Sequence, residues 1–138
     1  MGINRERVQL LVNELLTTDK EQGPSYLNAN GRYCCLGIAC EVAKANGCEV
    51  STATFTAATG TNITAYDEAH DVLPPSVMEW YGFTSSDPAI TYQRPTGIGR
   101  AYGRVSVVLA TNANDKLFWD FRRIGEAFRD YYLDNNDT

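Results

Sequence analysis

Three of the four cysteines stand in the run Arg32-Tyr-Cys-Cys-Leu-Gly-Ile-Ala-Cys40, where a polar turn gives way to an apolar helical stretch. A thiol at a helix N-terminus is favoured as thiolate, because unpaired backbone amides and the positive end of the helix dipole stabilise the charge. Cys34 or Cys35 could therefore serve as a nucleophile. His70, the only histidine, is the available base, and Asn112, Asn114 or Asp115 could orient its ring. This is the Cys, His, Asn order of a cysteine hydrolase. The competing reading is packing: Cys34, Cys35 and Cys40 interleave with Leu36, Ile38 and Ala39, and free cysteine is among the most buried residue types. Packing carries more weight, since His70 lies among Asp67, Glu68 and Asp71 in what reads as a solvated acidic turn. Glu68 with Asp71 could act as acid and base only in a desolvated site, and nothing in the sequence marks one. A vicinal cysteine pair plus a third five residues on does not match zinc-ligand spacing, so no metal is expected.

A second constellation lies between Pro88 and Asn114, a stretch without acidic residues that carries Arg94, Arg100 and Arg104 in a chain of net charge −5. Gly97, Gly99 and Gly103 allow backbone amides to approach a ligand closely, and Tyr92 and Tyr102 offer flat faces for stacking. The planar arginine fork makes paired hydrogen bonds to phosphate. Tyr92, Arg94, Arg100, Tyr102 and Arg104 form the predicted site for a small anionic ligand, nucleotide-like or phosphorylated. The glycine spacing is neither a P-loop nor a dinucleotide-binding turn. The alternative is a β-hairpin whose arginines pair with surface carboxylates, each exposed pair contributing about 0–1 kcal/mol.

These groups sit in a chain of 138 residues, 43% hydrophobic and 21% charged, the balance of one globular domain. The net negative charge argues against binding duplex nucleic acid or anionic membranes. No apolar run is long enough to span a bilayer and no signal-peptide core is visible, so a cytoplasmic location with reduced thiols is expected.

Hydrophobic spacing supplies the positioning elements. Val8, Leu11, Val12 and Leu15 predict a helix over Asn4 to Thr17, capped by Asn4. Asn30-Gly31 predicts a tight turn before the cysteines, and Leu36 to Asn46 a second helix stopped by Gly47. Val50 to Thr64 reads as weak strands or an ordered loop. Pro74-Pro75 opens a short helix that ends at Gly82. Strands are predicted over Ala89 to Tyr92 and Val105 to Ala110, the second so continuously apolar that a central place in the sheet is expected. Phe118, Phe121, Ile124, Gly125, Phe128 and Tyr131 share one face of a last helix from Lys116 to Leu133, and Arg122, Arg123 and Arg129 form its solvated face. Phe118, Trp119 and Phe121 cannot all face one core, which assigns Trp119 to a pocket or a subunit interface. Residues 134–138 are expected to fray. The predicted fold is one α+β domain over 1–138, a small, mostly antiparallel sheet packed by three main helices, assembling as a homo-oligomer.

Several of these segments coincide with a recognisable pattern: Gly31 to Cys40, Leu73 to Trp80 followed by Gly82-Phe83, Asn114-Asp115, and Phe121 to Ala127. In them the chain resembles a family of small proteins encoded by tailed bacteriophages and prophages. It departs from the family pattern at Gly125, where alanine is usual, and in a longer, Arg- and Gly-richer region from Pro88 to Asn114. The resemblance implies a phage accessory protein in an infected bacterium, a setting in which small proteins antagonise host defences, and it carries over no catalytic residue and no cofactor. The resulting expectation is a non-enzymatic protein that binds a nucleotide-like signalling ligand. The alternatives are a cysteine hydrolase built on Cys35 or Cys34 with His70, and an inhibitor that docks on a host defence enzyme.

Overall fold

The computed structural model describes residues 2–92 and 106–134. Its first helix, α1 (Arg5–Thr17), starts where Asn4 lends its side-chain oxygen to the Arg7 amide, and it buries Val8, Leu11, Val12 and Leu15. Strands β1 (Asn28–Ala29) and β2 (Arg32–Tyr33) form a hairpin. Its turn residues Asn30 and Gly31 have φ of 53° and 80°, the left-handed pair that a two-residue hairpin requires. Helix α2 (Cys35–Ala45) follows at once and is buried along most of its length. It lies so close to the preceding loop that a Cβ on Gly37 would sit 1.8 Å from the Leu27 carbonyl oxygen, so only glycine fits there.

The Val50 to Thr64 region forms strands rather than an ordered loop. Strands β3 (Thr52–Thr56) and β4 (Asn62–Tyr66) pair antiparallel with Phe55 opposite Ile63, and β1 joins β4, giving the sheet order β2-β1-β4-β3. Tyr66, fully buried, donates its hydroxyl to Glu41 Oε2 at 2.6 Å and so ties β4 to α2. Helix α3 (Pro75–Tyr81) ends at Gly82 as predicted, and the Tyr81 hydroxyl donates to the Ala39 carbonyl at 2.7 Å.

The C-terminal third departs from expectation in three places. Strands β5 (Ala89–Tyr92) and β6 (Ser106–Leu109) form a separate two-stranded sheet; β6 is not central, and Val107 and Leu109 are exposed. At Ala110 the chain turns into helix α4 (Ala110–Asp115) instead of continuing the strand. Asp87 starts it from a distance, accepting the Thr111 amide at 3.0 Å and the Thr111 hydroxyl. The last helix does not begin at Lys116. Residues Lys116 to Trp119 form a break in which Phe118 has φ 56°, and α5 (Phe121–Phe128) starts at Asp120, whose side chain caps the Arg123 amide at 2.9 Å. A π-helical turn, Arg129–Asp134, completes the chain's described part, so Asp134, expected to fray, is helical, and the rest of the tail expected to fray lies outside the described residues.

Helices α1, α2 and α5 pack together as the main helical layer, and the architecture is α+β. The α1–α5 contact explains Gly125: a Cβ there would stand 2.9 Å from Leu15 Cβ. Val8, Leu11, Ile38, Tyr81, Ile124 and Phe128 meet in one continuous core.

Candidate functional site

Cys34 is the N-cap residue of α2 but offers its helix no side-chain bond. The cap comes instead from Asn114 on α4, whose Oδ1 accepts the Cys35 amide at 3.2 Å. Asn114 is 4% exposed and uses its whole amide. Its oxygen also accepts from Gln22 Nε2 at 2.7 Å, and its nitrogen donates to the Gly23 carbonyl at 3.1 Å and to Asp115 Oδ1 at 2.8 Å. Gln22 reaches on to the Trp119 carbonyl at 2.9 Å, and Asp115 Oδ1 accepts the Ser25 amide at 3.0 Å. One network centred on buried Asn114 therefore joins the 22–25 loop, the start of α2, α4 and the break before α5. A buried side-chain amide with all four hydrogen bonds satisfied has no capacity left to orient an imidazole.

The thiols are placed accordingly. Cys34, Cys35 and Cys40 are buried in the core, and Cys48 is half-buried. Burial pushes the Cys34 thiol up to about 12, with the charges of Asp115 and Asp87 acting in the same direction. Burial likewise raises Cys35 and Cys40 well above the ordinary thiol value. Desolvation thus outweighs the helix-terminal field on which the nucleophile reading rested. The Cys35 thiol donates to the Ala110 carbonyl at 3.6 Å.

His70 is not the solvated turn residue expected. Its ring lies 5.9 Å from that of Tyr26 and 6.3 Å from that of Phe55, and its Nδ1 is buried without a hydrogen-bond partner. Its backbone carbonyl accepts the Leu27 amide at 2.8 Å, and the Leu27 carbonyl accepts the Cys34 amide at 3.3 Å. The structure thus links His70 to Cys34 through backbone, with no side-chain bond between imidazole and thiol. Asp67 in the same turn is a connector: it accepts the Ser76 hydroxyl and both the amide and hydroxyl of Ser51, and the Ser76 bond leads in lowering its pKa.

Of the predicted ligand site, Tyr92 ends β5, and Arg94, Arg100, Tyr102 and Arg104 lie outside the described residues. What is described is the base of their segment. Ala89 pairs with Leu109, Ile90 with Val108, Thr91 with Val107 and Tyr92 with Ser106, and Ile90 and Thr91 are buried. Beside Thr91 is a cavity of about 160 Å³ bordered by Trp119, Arg123, Glu126 and Asp130. Trp119 lines this pocket, and the Arg123 guanidinium carbon lies 4.1 Å from the Trp119 ring centroid. Arg123 keeps to the exposed face expected of it while its guanidinium covers the Trp119 ring. Arg122 shares that face near Glu126 at 3.8 Å, and Arg129, partly exposed, lies near Asp130 at 3.5 Å.

Phe118 was not predicted as a surface feature. It is 79% exposed, with Leu117 beside it at 42%, and it holds the left-handed backbone conformation. The crowding of Phe118, Trp119 and Phe121 was the available signal. Trp119 and Phe121 are the two that enter the core.

Among the described residues no group of three His, Cys, Asp or Glu side chains is placed to hold a metal ion, and no helix is long and apolar enough to cross a membrane. No curated protein and no solved structure matches the chain. A family model described as a domain of unknown function, DUF8296, matches residues 3–131, a span that includes the cysteine block, the Asn114 network and the β5–β6 hairpin. By that match the chain belongs to the DUF8296 domain family.

Proposed function

We propose that this protein is a non-enzymatic binding protein that captures a small anionic ligand, nucleotide-like or phosphorylated, through the arginine-bearing segment between β5 and β6. The observation that carries the reading is the register of that hairpin. With Tyr92 opposite Ser106, the residues that flank the acid-free stretch holding Arg94, Arg100 and Arg104 are held side by side. The hairpin beneath it is seated on α5 through buried Ile90 and Thr91. Three guanidinium groups on one tethered segment, with Tyr92 and Tyr102 for stacking, match the charge and flatness of a nucleotide. The buried, protonated thiols support the non-enzymatic side of the reading over a Cys35–His70 hydrolase. The resemblance to phage proteins suggests the setting, the cytoplasm of an infected bacterium, and the role, withdrawal of a signalling molecule from antiviral defence by a homo-oligomeric sponge. Isothermal titration against a panel of cyclic dinucleotides and cyclic ADP-ribose-type molecules tests this. Binding to at least one is expected, weakened about tenfold or more by Arg94→Ala or Arg100→Ala, as the loss of one charge-assisted contact implies. Silence across the whole panel sinks the reading.

The alternative of an inhibitor docking on a host enzyme has one observation in its favour, the Leu117–Phe118 pair. An exposed phenylalanine held at positive φ is a costly arrangement, and a bulky apolar anchor is the kind of group that dominates protein interfaces. Host proteins retained by the wild type and lost with Phe118→Ser favour this reading; identical retention by both removes its support.

A further inference from the structure

The two edges of the four-stranded sheet are finished differently. At the β2 edge, Tyr33 donates its amide to the Glu21 carbonyl at 2.8 Å and accepts the Gly23 amide at 2.9 Å, while Arg32 and Glu21 face each other at 3.4 Å. The chain's own 21–23 segment occupies this edge and charges border it, two of the ways in which proteins block edge pairing. Among the described residues, the β3 edge has neither protection.

The hydrogen bonds at the ends of the β3–β4 ladder show which groups face outward. Ala57 donates its amide to the Thr61 carbonyl at 2.8 Å, and Asp67 donates to the Ser51 carbonyl at 2.7 Å. In an antiparallel pair, residues alternate between exchanging hydrogen bonds with the partner strand and directing their polar groups away from it. Continued through the observed register, that alternation directs Ala53 and Phe55 toward β4 and leaves the N–H and C=O groups of Thr52, Thr54 and Thr56 pointing away. None of these has a backbone partner among the described residues, and all five residues of β3 are exposed. Residues 50–66 contain no Asp, Glu, Lys, Arg or Pro, in a chain that is 21% charged.

We infer that β3 pairs with β3 of a second copy, antiparallel about a two-fold axis through Thr54. Thr54 faces Thr54 across the axis, and Thr52 of each copy faces Thr56 of the other. The outward groups are centred on Thr54, so this register matches every donor with an acceptor and forms about six backbone hydrogen bonds. Two four-stranded sheets become one of eight strands. A second copy is the occupant that fits on two counts. The charge-free edge lets two molecules of net charge −5 meet without local repulsion, and the obstructed β2 edge prevents head-to-tail growth, leaving the closed two-fold pair. The dimer does not depend on the ligand reading, because the arginine segment connects the two strands of the other sheet.

Native mass spectrometry and sedimentation of the full chain test it, together with amide exchange at Thr52, Thr54 and Thr56. The wild type is expected at twice 15.3 kDa, with these three amides exchanging at least about tenfold more slowly than in a monomer. Thr54→Pro removes an outward amide without touching the bonds to β4, a position where an edge strand tolerates proline. Thr54→Lys places a charge on each side of the axis. Both are expected to be folded monomers with fast exchange at Thr52 and Thr56. If Thr54→Pro does not fold, Thr54→Lys decides alone, and if neither folds, the wild-type mass and exchange decide. A monomeric wild type at submillimolar concentration, a dimer that persists in folded Thr54→Lys, or a dimer whose Thr52, Thr54 and Thr56 amides exchange freely overturns the inference.

Discussion

Asn114 caps Cys35 across 79 positions of sequence, its Oδ1 receiving the amide at 3.2 Å at the start of α2. The same side chain closes the 22–25 loop through Gln22 and Gly23. Asn114→Ala strands several buried donors and acceptors at once, and each costs about 1–3 kcal/mol when left unpaired. Burial keeps water from replacing them. The expected loss is about 3–4 kcal/mol in urea denaturation, with a matching fall in thermal midpoint. Asn114→Asp keeps the acceptor and loses the donors, so it should fall between wild type and alanine. A loss below about 1 kcal/mol for alanine would show that the network is not a main tie of the fold.

The thiols make a prediction with a definite sign. Cys34 is raised from 9.0 in the unfolded reference to about 12 by burial, so the folded state holds its proton where the unfolded chain releases it. Between these values the unfolded state binds fewer protons, and stability must fall as pH rises. The contribution of the neutral thiol is intact below about pH 9 and is lost progressively toward pH 12. Cys34→Ala should flatten that part of the stability profile. At neutral pH, maleimide should reach half-buried Cys48 first and leave Cys34, Cys35 and Cys40 untouched until denaturant is added. Rapid native labelling of Cys35 would restore the nucleophile reading.

Local signals read well from the residues alone. Asn4 as a cap, Asn30-Gly31 as a turn and Pro75 at a helix start each depend on neighbours a few positions away. The misses share a different cause. Helix α4 is started by Asp87 from 24 residues upstream, so the apolar run from Val105 to Ala110 gave no sign of ending in a helix. Asp120 was a readable cap, but the aromatic stripe continuing through Phe118 masked it. For the cysteines, position was legible and consequence was not: whether a helix-terminal thiol is activated depends on how deeply the rest of the chain buries it. The arginine segment was legible as composition, and its anchoring became clear only from the pairing of Tyr92 with Ser106.

Phe118 offers a stabilising change. A non-glycine residue at φ 56° carries about 1–2 kcal/mol of local strain. Because the ring is 79% exposed, removing it forfeits little burial. Phe118→Gly relieves the strain but gives the unfolded chain more freedom, which returns about 0.4–1 kcal/mol. The net expectation is a gain of about 0.5–1 kcal/mol, read as a higher denaturation midpoint with an unchanged slope. Destabilisation instead would mean that the Phe118 ring makes a contact the monomer needs.

Two glycines separate helix propensity from packing. Alanine at Gly125 gains about 1 kcal/mol of helix propensity, but its Cβ would meet Leu15 Cβ at 2.9 Å and Leu16 Cδ2 at 3.2 Å. Overpacking of this kind costs about 1–3 kcal/mol. The Leu16 end can rotate away, whereas Leu15 is fixed in the α1–α5 seam, so Gly125→Ala should destabilise by about 1 kcal/mol net. Gly37→Ala has no such escape, because its Cβ would fall 1.8 Å from the Leu27 carbonyl oxygen, which is backbone. It must push α2 off the 27 loop or break the adjoining bonds, and the protein should unfold at several kilocalories less or fail to accumulate folded. Equal midpoints for the two variants would contradict the geometry, because one clash is with a side chain at a helix seam and the other with the backbone that supports the cysteine helix.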